Sequence, residues 1–336
     1  MKRVLVTGSC GFLGSHLVDF ILRTTDWQVV GLDRTDAAGD CNRVMNLPSV
    51  RASHGRFMFT YRDLRAEIPF KSAWSESTLE AGPFDFLVHM AASSHVDRSL
   101  ANPRMFLDDN VTGTFNLLEW VRSGNVLRHG GKFLYFSTDE VFGPAAPGQA
   151  FSEWDRFAAN NVYASTKAAA ECLTTAWANT FGLPIVISHG CNFYGEGQHS
   201  EKFVPLLIHR ISRGHKILIH ADHTKTVPSS RFYLHAENVC SAVMLLLEKG
   251  RCLDGSDREG KYNIIGDEEV SNLDLAGRIA ALLDKPLDFE LVDYVPGRPH
   301  HDMRYAMRGE RLRELGWKPH VSLDEGLRRV VESERR

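Results

Sequence analysis

Tyr163 and Lys167 stand four residues apart, the interval that stacks two side chains one turn apart on a single helical face. An ammonium beside a phenol favours phenolate and lowers its pKa from the usual value of about 10. Such a phenol can take the proton of an alcohol while the alcohol carbon gives up hydride. Upstream, the apolar run Phe133–Phe136 ends in Ser137, Thr138, Asp139 and Glu140. A buried strand with that ending carries two hydroxyls and two carboxyls to the edge of a sheet where ligands bind. Two neighbouring carboxylates with separated pKa values can act as acid and base in one site. Thr138, Asp139, Glu140, Tyr163 and Lys167 are the candidate catalytic residues. Each has a blander reading alone, since Tyr-x-x-x-Lys is common in helices and loop carboxylates often face water.

Hydride chemistry needs an acceptor, and the start of the chain has the form of a dinucleotide site. Arg3–Thr7 is a short β-branched run that stops at Gly8, and a helical pattern begins at Phe12 and Leu13. Gly8, Gly11 and Gly14 sit at that strand-to-helix turn, where glycine permits the turn, close approach of a pyrophosphate and tight helix–strand packing. Free amides at the helix start face the phosphate charge. A second strand, Gln28–Leu32, ends at Asp33, which can accept hydrogen bonds from an adenosine ribose and so favours NAD. Arg34 leaves a 2′-phosphate open at this point, because an arginine beside that ribose can accommodate it. Asp63 and Leu64 after the third strand and Ala91 after the fourth complete the expected cofactor set.

The elements that must hold these residues alternate. Apolar strands near 56–60, 84–90, 133–136 and 183–188 are separated by helical patterns at 105–121 and 164–180. That order predicts an α/β fold, a Rossmann-type doubly wound parallel sheet covered on both faces, with a smaller C-terminal substrate-binding α/β lobe. The expected division is 1–191 for the dinucleotide domain, with 235–260 returning to it, and 192–234 plus 261–336 for the lobe. A chain of 336 residues, 43% hydrophobic and 24% charged, has the length and composition for this. Its 39 Lys and Arg against 42 Asp and Glu give a formal charge of -3 and no compositional support for nucleic acid binding. Neither a signal-peptide-length apolar run nor a bilayer span is legible, so no membrane is expected. Six scattered cysteines with no C-x-x-C pair are expected to be reduced thiols of a cytoplasmic protein. The histidines at 215, 220, 223, 300 and 301 lack the spacing of a metal site, and none is expected.

These residues together resemble the extended short-chain dehydrogenase/reductase family, whose members act on nucleotide sugars, over almost the whole chain. Ser137–Gly143 looks like the signature of its nucleoside-diphosphate-glucose 4,6-dehydratases, as do Ser94–Ser99, Glu201–Leu206 and Arg298–Tyr305. The resemblance implies that Tyr163 is the base for the sugar 4-hydroxyl, assisted by Lys167 and Thr138. Glu140 would remove the C5 proton, Asp139 would protonate the departing 6-hydroxyl, and NAD would stay bound throughout. Ser94, His95, Asn192, Lys202, Arg231, Arg298 and His301 would hold the nucleoside-diphosphate hexose, and the protein would be a homodimer. Departures surround the set: Ser93 stands where glutamate is usual, His189 for arginine, Phe193 for asparagine, and Val162 for proline. The alternatives are another NAD-dependent sugar enzyme (4-epimerase, UDP-glucuronate decarboxylase or 5,6-dehydratase) and a non-enzymatic binder on the same fold.

Overall fold

Runs of β-branched and aromatic residues become the strands β1 (Arg3–Thr7), β2 (Gln28–Asp33), β3 (Phe57–Tyr61), β4 (Phe84–His89), β5 (Leu127–Thr138) and β6 (Ile185–Gly190). Shorter strands follow: β7 (Asn192–Tyr194), β8 (Ile217–His220), β9 (Ser230–His235), β10 (Lys261–Ile264), β11 (Glu269–Ser271) and β12 (Phe289–Val292). The computed structural model describes residues 1–35, 39–68, 83–124, 126–255, 259–293 and 302–335.

A seven-stranded sheet has the order β10-β6-β5-β4-β1-β2-β3. The pairs from β3 through β5 are all parallel, with Val4 opposite Val29 on one side and Phe86 on the other. The chain winds outward from β1 through β3, then crosses to β4 and winds the other way. Strand order thus reverses between β1 and β4, the crevice where such sheets bind ligands. Every residue of β1 is buried, as expected of a central strand covered on both faces.

Two elements depart from the sequence pattern. The expected helix over 105–121 is three pieces: Pro103–Phe106, a π-helical turn at Leu107–Thr112, and Gly113–Ser123. Asn110 accounts for the local ties of that turn. Its Oδ1 accepts from Ser93 N at 2.8 Å, and its Nδ2 donates to Ser93 O at 3.0 Å and Thr166 Oγ1 at 2.9 Å. Likewise β5 begins at Leu127, well before Phe133, because Arg128, His129 and two glycines hide its first half from an apolar pattern.

A chain of hydrogen bonds stitches β1 to β4 beneath the glycine turn. Thr114 Oγ1 donates to Asn110 O, so it can only accept from His89 Nε2 at 3.0 Å. His89 therefore carries its proton on Nε2, and its Nδ1 accepts from the Thr7 hydroxyl at 2.7 Å. Burial, and then the charge of Lys167, push the imidazole down to about 3, which keeps it neutral.

The chain divides into two compact units. The first comprises Met1–Val141, Ala159–His189 and Cys240–Tyr262; the second comprises Phe142–Ala158, Gly190–Val239 and Asn263–Arg336. Phe142–Ala158 falls in the second unit, whereas the sequence reading ran 1–191 without a break. In that unit β9 pairs with β11 antiparallel and β7 parallel, and β8 pairs with β12. The helices Phe203–Ser212, Asn272–Leu283 and Leu323–Glu334 bury Leu207, Leu275, Ile279 and Leu327 in one core.

Candidate active site

The first unit holds all five candidate catalytic residues. Thr138 ends β5, and Asp139 and Glu140 open the 3-10 turn Asp139–Phe142 directly after it. Tyr163 and Lys167 lie on the helix Val162–Phe181, whose N-cap is Asn161. That cap joins the two elements. Asn161 Oδ1 accepts from Ala164 N at 2.8 Å, and its Nδ2 donates to Glu140 Oε2 at 2.8 Å. Asn161 thus fixes the helix start and the Glu140 carboxylate together, a positioning role the sequence reading missed. Asn at an N-cap position three residues before a free amide was the available signal.

Thr138 sits between the acid and the phenol. Its hydroxyl donates to Asp139 Oδ1 at 3.2 Å and is hydrogen-bonded to the Tyr163 phenol. A hydroxyl has one hydrogen, so Thr138 can give it to Asp139 or to a phenolate, but not to both.

The electrostatics at Tyr163 differ from the simple ammonium–phenol expectation. Burial raises the phenol above its ordinary value, Glu140 and Asp139 add to that, and the Thr138 hydrogen bond opposes them. Lys167 does not offset this, because its ammonium is tethered elsewhere. Its Nζ donates to Phe136 O at 2.7 Å and lies 4.4 Å from the centroid of the Tyr135 ring. Burial lowers Lys167 to about 7, against the pull of Glu171.

Glu171 lies one turn beyond Lys167 on the same face, and sequence reasoning gave it no role. Its carboxylate accepts from Ser137 Oγ at 2.7 Å, Lys261 Nζ at 2.8 Å and His189 Nε2 at 3.0 Å. Glu171 and His189 are fully buried, and Lys261 is 7% exposed. Burial alone would raise the carboxyl, but His189 and Lys261 hold it down at about 2. The histidine at 189 is thereby a partner of a buried charge that also holds the hydroxyl next to Thr138.

The glycine turn has the shape a pyrophosphate requires. Gly8 has φ +74°, and a Cβ there would stand 2.8 Å from the Ala91 backbone across the β1–β4 crevice. A Cβ on Gly14 would lie 2.0 Å from Gly8 O, so the helix packs on its strand only with glycine. Phe12 and Leu13 open the helix Phe12–Thr24. Asp33 accepts from Cys10 N at 2.8 Å through Oδ2 and from Arg34 N at 2.8 Å through Oδ1. Oδ1 also accepts from Thr35 N at 3.3 Å, so the carboxylate is fixed at the end of β2 beside the turn. These residues fit an adenine dinucleotide.

The remaining cofactor candidates are engaged as follows. Arg65 clamps Asp63 and lowers its pKa, chiefly by their side-chain hydrogen bond. Leu64 is buried and its carbonyl accepts from Asn116 Nδ2 at 2.8 Å. Ala91 N donates to Thr7 Oγ1 at 3.3 Å. At the departure Ser93, a carboxylate is present after all: Ser93 Oγ donates to Asp109 Oδ2 at 2.6 Å.

Among the substrate candidates, Ser94 and His95 follow β4 in the first unit, where His95 Nδ1 caps the helix Val96–Ala101. Asn192, Lys202 and Arg231 belong to the second unit, and Arg298 and His301 lie outside the described residues. Asn192 opens β7, and Lys202 is the N-cap of the helix Phe203–Ser212. Arg231 is buried, with its guanidinium bonded to the carbonyls of Ser230, Asp302 and Met303 and 4.5 Å from the centroid of the Tyr305 ring. Its visible work is to anchor the 302–305 segment.

A parallel sheet with a glycine turn at its crossover, and a tyrosine–lysine helix beside a Thr-Asp-Glu strand end, define an NAD-linked short-chain dehydrogenase/reductase of the extended type. The family model described as GDP-mannose 4,6 dehydratase matches residues 5–330, and the chain belongs to that family. A probable dTDP-glucose 4,6-dehydratase of Sinorhizobium fredii is 35% identical over 98% of this chain and 92% of its own length. DesIV, the dTDP-glucose 4,6-dehydratase of Streptomyces venezuelae solved with NAD and TYD bound, is similar at TM-score 0.84 and 31% identity, covering 99% of this chain and 97% of that one. The UDP-glucose 4-epimerase of Thermus thermophilus in complex with NAD is similar at TM-score 0.81 and 27% identity, covering 99% of both chains.

Proposed function

We propose that the protein is an NAD-dependent nucleotide-sugar 4,6-dehydratase, a hydro-lyase that converts dTDP- or UDP-glucose to the 4-keto-6-deoxy sugar and water. The observation that carries this reading is the adjacent pair Asp139 and Glu140, held around one phenol by Thr138 and Asn161. An epimerase needs a base and a hydride acceptor but no acid for a leaving group at C6. Two carboxyls supply the base and the acid that elimination requires.

NAD, when bound at the glycine turn, supplies the reversible two-electron acceptor and a positive ring whose charge favours phenolate at Tyr163. Tyr163 takes the proton of the sugar 4-hydroxyl, with Thr138 turning its hydrogen toward the forming phenolate. Lys167, anchored on Phe136 O by one of its three donors, would hold the nicotinamide ribose with another. Once C4 is a ketone, the C5 hydrogen is acidic because its carbanion is an enolate. Glu140, held by Asn161, removes that proton, and Asp139 gives one to the 6-hydroxyl so that it leaves as water; the hydride taken up by NAD would return to C6 and a proton to C5, so that no net oxidation remains. The family resemblance assigns the nucleoside diphosphate and hexose to Ser94 and His95 of the first unit, to Asn192, Lys202 and Arg231 of the second, and to Arg298 and His301, which lie outside the described residues. Arg231 acts at least by fixing the 302–305 segment that directly follows Arg298 and His301 in sequence.

The test is to incubate the protein with dTDP-glucose and UDP-glucose and weigh the product. Loss of one water is expected, whereas a product of unchanged mass would overturn dehydration in favour of epimerisation. Glu140→Gln should slow exchange of the C5 proton with solvent by roughly 100- to 10,000-fold while reduction of NAD persists. Equal exchange in both proteins would remove Glu140 as the base.

The same reading has the protein as a cytoplasmic homodimer. Its six cysteines are free thiols, which suits a reducing compartment, and no helix among the described residues is long and apolar enough to cross a membrane. Phe115, Trp177 and Phe181 form an edge-to-face row on two helices of the first unit, with Phe115 and Phe181 over 40% exposed. Such a row is covered economically by its own copy. A monomeric mass by sedimentation at micromolar concentration would contradict the dimer.

A further inference from the structure

At the end of β2 the chain carries two residues of opposite consequence for a ribose 2′-phosphate. Asp33 repels it, and an arginine beside that ribose attracts it. Arg34, however, is committed elsewhere. Its Nη1 and Nη2 donate to Asp109 Oδ1 and Oδ2 at 2.5 and 2.9 Å, a two-bond fork. Asp109 lies in the π-helical turn after β4 with its side chain 5% exposed, against 22% for Arg34. It is itself fixed, since Ser93 Oγ donates to it at 2.6 Å and Arg65 Nε stands 3.8 Å away. Arg65 is in turn clamped by Asp63. Arg34 and Arg65 are therefore each engaged by a carboxylate, while Arg43 donates from Nη1 to the Cys10 carbonyl at 3.3 Å beside the glycine turn. A forked, half-buried pair on a fixed carboxylate holds its geometry far better than a solvent-exposed one.

We propose that Asp109 is a specificity-determining residue for the cofactor: by holding Arg34 in a fork, it withholds from the adenosine ribose the guanidinium that would accept NADP. Discrimination then has two layers, direct repulsion by Asp33 and retention of Arg34 by Asp109. The proposal rests on the reading that the glycine turn binds NAD. It also gives the π-helical turn a use, because that turn carries Asp109 beside Ser93 and Arg34.

Isosteric variants test it without stripping local hydrogen bonds. Asp33→Asn keeps an acceptor for Cys10 N–H, and Asp109→Asn keeps one for the Ser93 hydroxyl. Affinities for NAD and NADP are read by calorimetric titration of protein freed of dinucleotide. The dinucleotide released from freshly purified protein on denaturation is identified by mass. Asp33→Asn alone should gain little for NADP, and adding Asp109→Asn should improve NADP binding by a further factor of about 10. A third change, Arg34→Met, should abolish that gain. Arg34→Met alone should move the NAD-to-NADP ratio by less than about twofold, since the guanidinium is already withheld. The proposal is overturned if the Asp33/Asp109 double variant binds NADP no better than Asp33→Asn, or if the gain survives Arg34→Met. Wild-type protein that binds neither dinucleotide would instead overturn the cofactor reading, and the lock with it.

Discussion

Two clusters of charge in this molecule use the same residue types under opposite conditions. In the first unit, Glu171 is fully buried between Ser137, His189 and Lys261. In the second, Arg278 reaches Glu268, Asp274 and Asp324 at 2.9 to 3.1 Å, yet those carboxylates are 48 to 69% exposed. Water screens the second cluster and is excluded from the first. The buried cluster is thus the one whose geometry is transmitted. It pins Ser137 beside Thr138, and Glu171 shares a helical face with Lys167 and Tyr163. The exposed cluster links a helix to its neighbours in the unit that holds none of the five candidate catalytic residues. The lesson is that ion pairs must be weighed by their access to water before they are counted.

Removing Glu171 gives the largest expected separation of the two clusters. Glu171→Ala removes the carboxylate shared by buried Lys261 and His189 and should cost about 3–5 kcal/mol in denaturant unfolding. A loss under about 1 kcal/mol would mean that water reaches this site.

Acid should act next, and with one sign. His89 stands at about 3 in the folded protein against 6.5 in an unfolded chain, so unfolded protein binds the extra proton between those values. Glu171 stands at about 2 against 4.5, and the same holds over its own window. Both contributions are complete above pH 6.5 and are lost as pH falls, His89 from 6.5 toward 3 and Glu171 from 4.5 toward 2. Denaturation midpoints at pH 7, 5.5, 4 and 3 should fall steadily, more steeply below pH 4.5. A midpoint that stayed level from pH 7 to 4 would contradict a buried neutral His89.

The smallest effect belongs to the exposed cluster. Arg278→Ala should change stability by at most about 1 kcal/mol, and less in high salt. A loss several times larger would erase the contrast between the clusters.

Periodicity along the chain was enough for the order of elements. The β-branched runs before Gly8, Asp33 and Ser137 and the helical spacing after Phe12 and around Tyr163 depend on neighbours a few residues away. The placement of the glycine turn, of Thr138, Asp139 and Glu140 at a strand end, and of Tyr163 and Lys167 on one helix was legible for the same reason, because strand ends and one helical face are local geometry. Less visible were the partners. Asn161 with Glu140, Asp109 with Arg34, and Glu171 with His189 and Lys261 are separated by 21, 75, 18 and 90 residues. Nothing in local spacing brings such residues together; the β-sheet order and the packing of helices on it do. The pKa values followed the partners rather than the motif. Tyr163 and Lys167 were read as a pair from their spacing, but burial sets each of them first, and burial belongs to the whole fold.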